Sequence, residues 1–156
     1  MSVDNSSILQ FIKYALAGGL AGVTHIIIFH LVAWKVFPAL QEKDLAVRFF
    51  NLAIWKINDA TRARNSMIGN FIAFLFANMV AYITNIVFVF QGGKYHVIIE
   101  IFLFYAVSGV STFVGTMLMG LLIKRIGLLT TYAFGANIFT AVIFNYAMRK
   151  YFIFNG

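Results

Sequence analysis

The sequence predicts an all-α integral membrane fold with four transmembrane helices arranged as two related hairpins, and three observations predict it. Four apolar stretches without a single Asp, Glu, Lys or Arg, Tyr14 to Trp34, Ser66 to Phe90, Ile101 to Ile123 and Leu128 to Met148, take up most of the 156 residues. Each matches the ~20 residues of helix that a hydrocarbon core requires. The chain is 62% hydrophobic and only 11% charged, with a mean hydropathy of +0.87, whereas soluble domains carry roughly 25% charged residues. The third observation is an internal similarity between the two halves.

Span one is a retained helix and not a cleaved leader. Asp4 makes the region before it acidic, Lys13 interrupts the short apolar run ahead of Ala15-Leu16-Ala17, and the apolar stretch continues to Trp34. Pro38 cannot continue the helix. A polar connector, residues 39–65, then leads to span two. Wound as a helix, Leu45 to Arg62 gathers Arg48, Asn51, Asn58, Asp59 and Arg62 on one side, with Trp55 among them. Leu45, Phe49, Phe50, Leu52, Ala53 and Ile57 fall on the other side, and Lys56 is the misfit. That pattern favours an amphipathic interfacial helix over the alternative, a helical extension of span two. Spans two and three are joined by Gln91-Gly92-Gly93-Lys94-Tyr95-His96, and spans three and four by little more than Lys124-Arg125-Ile126-Gly127.

The two hairpins share residues in order. Lys13-Tyr14-Ala15-Leu16-Ala17-Gly18 matches Phe104-Tyr105-Ala106-Val107-Ser108-Gly109 at an offset of 104 − 13 = 91. Tyr82 to Phe90 matches Tyr146 to Phe154 at 146 − 82 = 64, with Phe88-Val89-Phe90 against Phe152-Ile153-Phe154 the clearest part. The offsets differ by 91 − 64 = 27, about the surplus length of the first connector. A single transmembrane domain over 1–156 follows, with repeat one at 8–91 carrying the inserted connector and repeat two at 97–155. A unit that crosses twice keeps its orientation, so the pseudo-axis runs along the membrane normal.

Composition also excludes function classes. Four spans leave no room for an independent catalytic domain of ~100 residues. No Gly-rich phosphate loop, nucleophile elbow or HExxH occurs, so the chain reads as a non-enzyme without cofactor. There is no cysteine, which removes disulfides, thiol catalysis and thiolate metal sites. His25 and His30 lie about 140° apart around a helix and do not form a helical metal pair. The net charge of +7 reflects basic loops that set orientation and attract anionic headgroups, and not nucleic-acid binding. The connectors after spans one and three hold Lys35, Lys43, Arg48, Lys56, Arg62, Arg64, Lys124 and Arg125, against Lys13, Lys94, Arg149 and Lys150 on the other side. A positive-inside count therefore places the long connector in the cytoplasm.

Polar residues within spans are the candidates for function. Asn78 and Asn85 share a face with Tyr82 between them; Asn145 and Arg149 share another, with Asn137 a little round from it. They offer either interhelical hydrogen bonds or a polar path. Ser108, Ser111, Thr112 and Thr116 read as interhelical bonding. Gly18 with Gly22, and Ser111 with Gly115, permit close helix approach within the bundle or in an oligomer. His25 sits mid-span, where an ionisable group defaults to a functional hypothesis. Lys13 and Glu100 lie near span ends, where snorkelling is the simple reading. Arg149 and Lys150, followed by Tyr151, Phe152 and Phe154, form either an interfacial anchor or a basic pocket for a lipid phosphate.

With these features in view the chain resembles the GtrA-like family of small four-span membrane proteins. The resemblance is carried by Phe11-Ile12-Lys13-Tyr14-Ala15-Leu16-Ala17-Gly18-Gly19-Leu20, by Asn85 to Phe90, and by Asn145-Tyr146-Ala147-Met148-Arg149-Lys150-Tyr151-Phe152-Ile153-Phe154. It implies movement or presentation of a polyprenyl-phosphate-linked sugar, such as undecaprenyl-phosphate glucose, for cell-surface glycans, in a bacterial or archaeal cytoplasmic membrane. It also implies cytoplasmic termini, against the charge count. Members often carry an acidic residue where His25 stands, and a basic pair where Asn85-Ile86 stand, which leaves Arg149-Lys150 as the main phosphate candidate. Three readings follow: a flippase, with Lys13, Arg149 and Lys150 on the phosphate and Asn78, Tyr82, Asn85, Asn137 and Asn145 along the sugar's path; a scaffold that recruits a glycosyltransferase through the connector; or a small cation or drug exporter using Glu100. Four helices make a thin wall around a sugar, so the flippase reading expects a homodimer or larger homo-oligomer among membrane lipids.

Overall fold

The computed structural model describes residues 5–89 and 96–148, and among these there are helices and no strand. The elements are α1 (Asn5–Lys35), α2 (Leu45–Phe50), α3 (Asp59–Thr84) continued by a π-helical turn (Asn85–Val89), α4 (Val97–Ile126) and α5 (Thr130–Met148). Among the described residues, three segments are long and apolar enough to cross a membrane: Ala15–Lys35, Asp59–Phe88 and Val97–Ile126. The 19-residue α5, which carries Asn137 and Asn145, lies beside α4.

α1 packs on α3, α3 on α4 and α4 on α5. Stacking of Phe29 on Phe134, with ring centroids 3.9 Å apart, brings α5 back against α1 and closes the bundle. The apolar core, Phe29, Ala33, Ala39, Leu40, Val47, Ala63, Ala73, Met119, Ile123, Ala133 and Phe134, lies towards the connector end, where α1 and α4 finish and α3 and α5 begin. The outer surface is apolar as well: Leu16, Phe102, Val107, Phe113 and Phe139 are all about two-thirds exposed or more. Such a surface is matched by hydrocarbon and not by water.

The connector is not one amphipathic helix. α2 lasts six residues and ends at Asn51, whose left-handed backbone (φ 49°) returns its N–H to the Val47 carbonyl. Asparagine tolerates that conformation better than most residues. Asn58 then restarts the helix, its side chain accepting the Thr61 N–H at 2.8 Å, as an N-cap should. α3 therefore begins at Asp59, seven residues ahead of Ser66, so only the last part of the connector, 59–65, extends span two, while 51–58 form no helix.

Close approach uses other glycines than the pair in span one. A Cβ at Gly18, Gly19 or Gly22 would meet nothing within 4 Å, so that motif does not pack inside the bundle. Gly115 instead lies against Asn137, where a Cβ would come 2.8 Å from the Asn137 carbonyl oxygen, and Gly120 lies against Met67. Ser111, fully buried, accompanies Gly115 on the face of α4 that meets α5. Gly127 takes the left-handed conformation (φ 65°) that ends α4. Its N–H bonds the Ile123 carbonyl, the 5→1 bond of an αL close, and the Leu128 N–H reaches back to the Leu122 carbonyl.

Candidate functional site

α3 carries a buried polar stripe. Arg62, Ser66 and Asn70 recur every fourth residue and are fully buried, and Asn78, Tyr82 and Asn85 extend the line towards the far end. Spacing of four keeps side chains on one helical face. At Asn70 the stripe meets the three other long helices. The Asn70 amide nitrogen donates to Thr116 Oγ1 of α4 at 2.6 Å. Its carbonyl oxygen pairs with His25 Nε2 of α1 at 3.0 Å and accepts from Asn137 Nδ2 of α5 at 3.1 Å. One residue from each helix thus converges on a single amide.

Helix rise sets the depth of this layer within the bundle. At 1.5 Å per residue His25, Asn70 and Thr116 lie about 15 Å from the connector ends of their helices, half of a ~30 Å hydrocarbon core. Aromatic rings flank it. Phe134 stands edge-on to His25 (5.3 Å, 82°) and to His30 (5.6 Å, 87°) while stacked on Phe29. His30 does not join the layer: its Nδ1–H donates to the Ile26 carbonyl at 2.9 Å, and its Nε2 faces Thr131 Oγ1 at 3.4 Å.

A second layer lies eight residues along α3. Ser108 Oγ contacts Asn78 Oδ1 at 3.0 Å, and Tyr82 sets its ring edge-on to Phe104 at 5.8 Å. Beyond it the helix widens. Thr84 Oγ1 donates to the Val80 carbonyl and Asn85 Nδ2 to that of Ala81, both on their own preceding turn, just where the π-helical turn starts. Side-chain bonds of this kind compete with the backbone ladder and bend helices, and π-turns recur at functional sites. Within these layers Asn137 Oδ1, Asn78 Nδ2 and Asn85 Oδ1 are buried without a partner among the described residues. In a native interior such atoms are few and call for a physical reason.

Of the residues expected at the site, His25 and Asn137 meet in the first layer, Asn78 and Tyr82 lie in the second, and Asn85 sits at the π-turn. Lys13 is exposed on α1. The side chains of Glu100 and Asn145, and all of Arg149 and Lys150, lie outside the described residues. Asn70, the hub, is not among the expected residues. Its signal in the sequence is the four-residue spacing from Arg62 through Ser66, hidden because Arg62 reads as a surface charge of the connector.

Arg62 is in fact fully buried. Its Nη1 donates to the Leu128 carbonyl at 2.7 Å and to Thr130 Oγ1 at 3.3 Å, and its Nη2 to Asp59 Oδ1 at 3.0 Å. Thr130 donates in turn to the Ala39 carbonyl. Buried Asp44 accepts the Gln41 N–H at 2.7 Å and, across the bundle, the Thr131 N–H at 2.8 Å. The negative carboxylate thus caps the positive start of α5. Asn65 Nδ2 donates to the Pro38 carbonyl and Trp34 Nε1 to that of Ala53. The connector is fastened to both hairpins, which fixes the end of the bundle from which the polar stripe rises.

A family model described as GtrA/DPMS, transmembrane domain, matches residues 13–154. The chain belongs to that family. The match takes in all four elements that bear the polar layers, and with the apolar helices it makes this a multi-pass membrane protein of a family that fits a membrane function related to polyprenyl-phosphate sugars. No curated protein and no solved structure matches the chain.

Proposed function

We propose that the protein translocates a polyprenyl-phosphate-linked sugar, such as undecaprenyl-phosphate glucose, across a bacterial or archaeal cytoplasmic membrane, with α5 as a fourth span and without enzymatic activity of its own. The observation that carries this is the pair of neutral polar layers inside the bundle. Their unpaired atoms include a donor, Asn78 Nδ2, and acceptors, Asn85 Oδ1 and Asn137 Oδ1. A sugar hydroxyl both donates and accepts, so such a mixed set suits a sugar. A bare cation would call for oxygen ligands, carboxylates among them.

In this reading Lys13, Arg149 and Lys150 hold the phosphate near the interface opposite the connector, and Asn78, Tyr82, Asn85, Asn137 and Asn145 line the sugar's path. The two hairpins act as repeats about an axis along the membrane normal, and a homodimer or larger homo-oligomer widens the path. Headgroup translocation in liposomes tests this. The expected result is transport that is lost in Asn70→Leu and impaired in Arg149→Ala/Lys150→Ala; undiminished transport by the double variant refutes the assigned phosphate role.

A second reading has its own observation. The connector is locked to the bundle yet turns Phe49, Phe50 and Trp55 outward, each at least two-thirds exposed. A scaffold that recruits a membrane glycosyltransferase through that surface predicts co-purification abolished by Phe49→Ser/Phe50→Ser, and no transport by the purified protein.

A further inference from the structure

The first polar layer fixes which nitrogen of His25 bears a proton. Thr116 Oγ1 donates its one hydrogen to the Thr112 carbonyl at 2.7 Å, so towards Asn70 it can only accept. The Asn70 amide nitrogen therefore faces Thr116, and its carbonyl oxygen faces His25 and Asn137. Carbonyl oxygens accept only, and Asn137 supplies its NH₂ to the same oxygen. His25 must donate through Nε2–H. Its Nδ1 carries the free lone pair and makes no hydrogen bond with any described residue. The imidazole is half-buried.

The geometry points to His25 Nδ1 as a proton-loaded counter-ion site for a lipid phosphodiester passing through the bundle. Protonation at Nδ1 adds one positive charge and breaks nothing, because Nε2–H keeps its bond to Asn70. The groups that face the ring are Asn70 of α3 and Phe134 of α5, with Thr116 and Asn137 behind Asn70. None is charged, and no carboxylate among the described residues makes an ion pair with His25. His30, further along α1, is turned to its own Ile26 carbonyl and to Thr131. An imidazolium at this depth consequently lacks an internal partner among the described residues, and a buried charge demands one. A phosphodiester carries one negative charge, so a single imidazolium neutralises it. The proton enters from water with the anion and leaves when the anion does. The choice of ligand rests on the translocation reading; the tautomer does not.

Nitrogen-15 NMR of histidine-labelled protein in liposomes reads the site directly. The expected result near neutral pH is the neutral Nε2–H form of His25, converting to the doubly protonated form on acidification. At fixed pH, adding polyprenyl-phosphate glucose to the vesicles should raise the protonated fraction roughly tenfold, the scale of an opposite charge placed within a few Å. Neutral polyprenol should leave it unchanged. An equal response to phosphatidylglycerol supports a general lipid-phosphodiester site. An Nδ1–H tautomer, a response to inorganic phosphate alone, or no response to either lipid overturns the proposal. Transport supplies the second arm: an imposed pH gradient should accelerate translocation by the wild type, and His25→Gln, which still offers Asn70 an N–H, should lose that acceleration. Wild-type transport indifferent to the gradient overturns the coupling and leaves the translocation reading standing. The NMR response without any transport by the wild type rejects the translocation reading and keeps His25 as a lipid-anion site.

Discussion

The connector end and the mid-bundle layers both bury polar groups, and they treat them in opposite ways. At the connector end Asp44 accepts two backbone N–H groups and Arg62 uses both terminal nitrogens, only its Nε staying unpaired among the described residues, so the charges are buried with partners on three segments. In the layers the groups are uncharged, and several keep an atom unpaired among the described residues. Breaking a buried pair costs several kcal/mol, whereas interhelical hydrogen bonds within a membrane average only ~0.6 kcal/mol. One end is built to stay closed. The middle is held by weaker bonds, which the proposed translocation would exchange for a ligand's.

Removing Arg62 should break that contrast most severely. Arg62→Met keeps much of the aliphatic volume but strips the Leu128 carbonyl, Thr130 and Asp59 of their donor. A loss of about 3 kcal/mol is expected, chiefly from the buried Leu128 carbonyl and Thr130 hydroxyl left without a donor, since Asp59 is about half exposed and keeps water; it is seen as a large drop in the thermal unfolding midpoint in detergent. Arg62→Lys should recover only part of it, because an ammonium cannot span both sides as a guanidinium does. Stability within about 1 kcal/mol of wild type would show that the connector end is not a closed clamp.

Asp44→Ala should come next, at about 2 kcal/mol. It leaves the N–H groups of Gln41 and Thr131 without their acceptor and uncaps α5. Limited proteolysis should then cut the connector, with the helices beyond it still protected. Equal protection of the connector in wild type and variant would mean that the Asp44–Thr131 tie does not hold it down.

These two residues also show what the sequence can and cannot carry. The existence of the helices is legible because an apolar run of hydrocarbon length has no stable place in water, and the family resemblance rests on residues at the ends of those runs. The extent of the connector helix is not legible, because a period-3.6 pattern continues through Asn51 and Asn58, two residues whose side chains and backbone favour stopping and starting helices. Arg62 looks like a surface charge since nothing local shows that Leu128 and Thr130, more than sixty residues away, will supply its acceptors. Asn70 is hidden for the same reason: its partners lie 45, 46 and 67 positions off. Local periodicity reveals a face, and only the fold reveals what that face meets.

Asn70→Leu should lower stability by only about 2 kcal/mol, the sum of three weak interhelical bonds. Its effect on translocation should be far larger, since it removes the group on which all four long helices converge. Stability and transport falling in proportion would argue that the layer is structural. A small fall in stability with transport abolished is the expected split.

Ser66 offers the finest test, because it lies between the two regimes, one turn from Arg62 and one from Asn70. Its hydroxyl is fully buried and has no partner among the described residues. Alanine removes the orphaned oxygen and leaves a space too small to matter greatly, so Ser66→Ala should be neutral or stabilising by up to ~1 kcal/mol. If the hydroxyl serves the closed resting bundle through an ordered water, the change should instead destabilise by a similar amount and spare transport. If it meets the passing headgroup, stability should hold and transport should fall. Unfolding midpoints and translocation rates measured on the same preparation separate the three, and they decide whether the exchangeable region begins at Asn70 or one turn nearer the clamp.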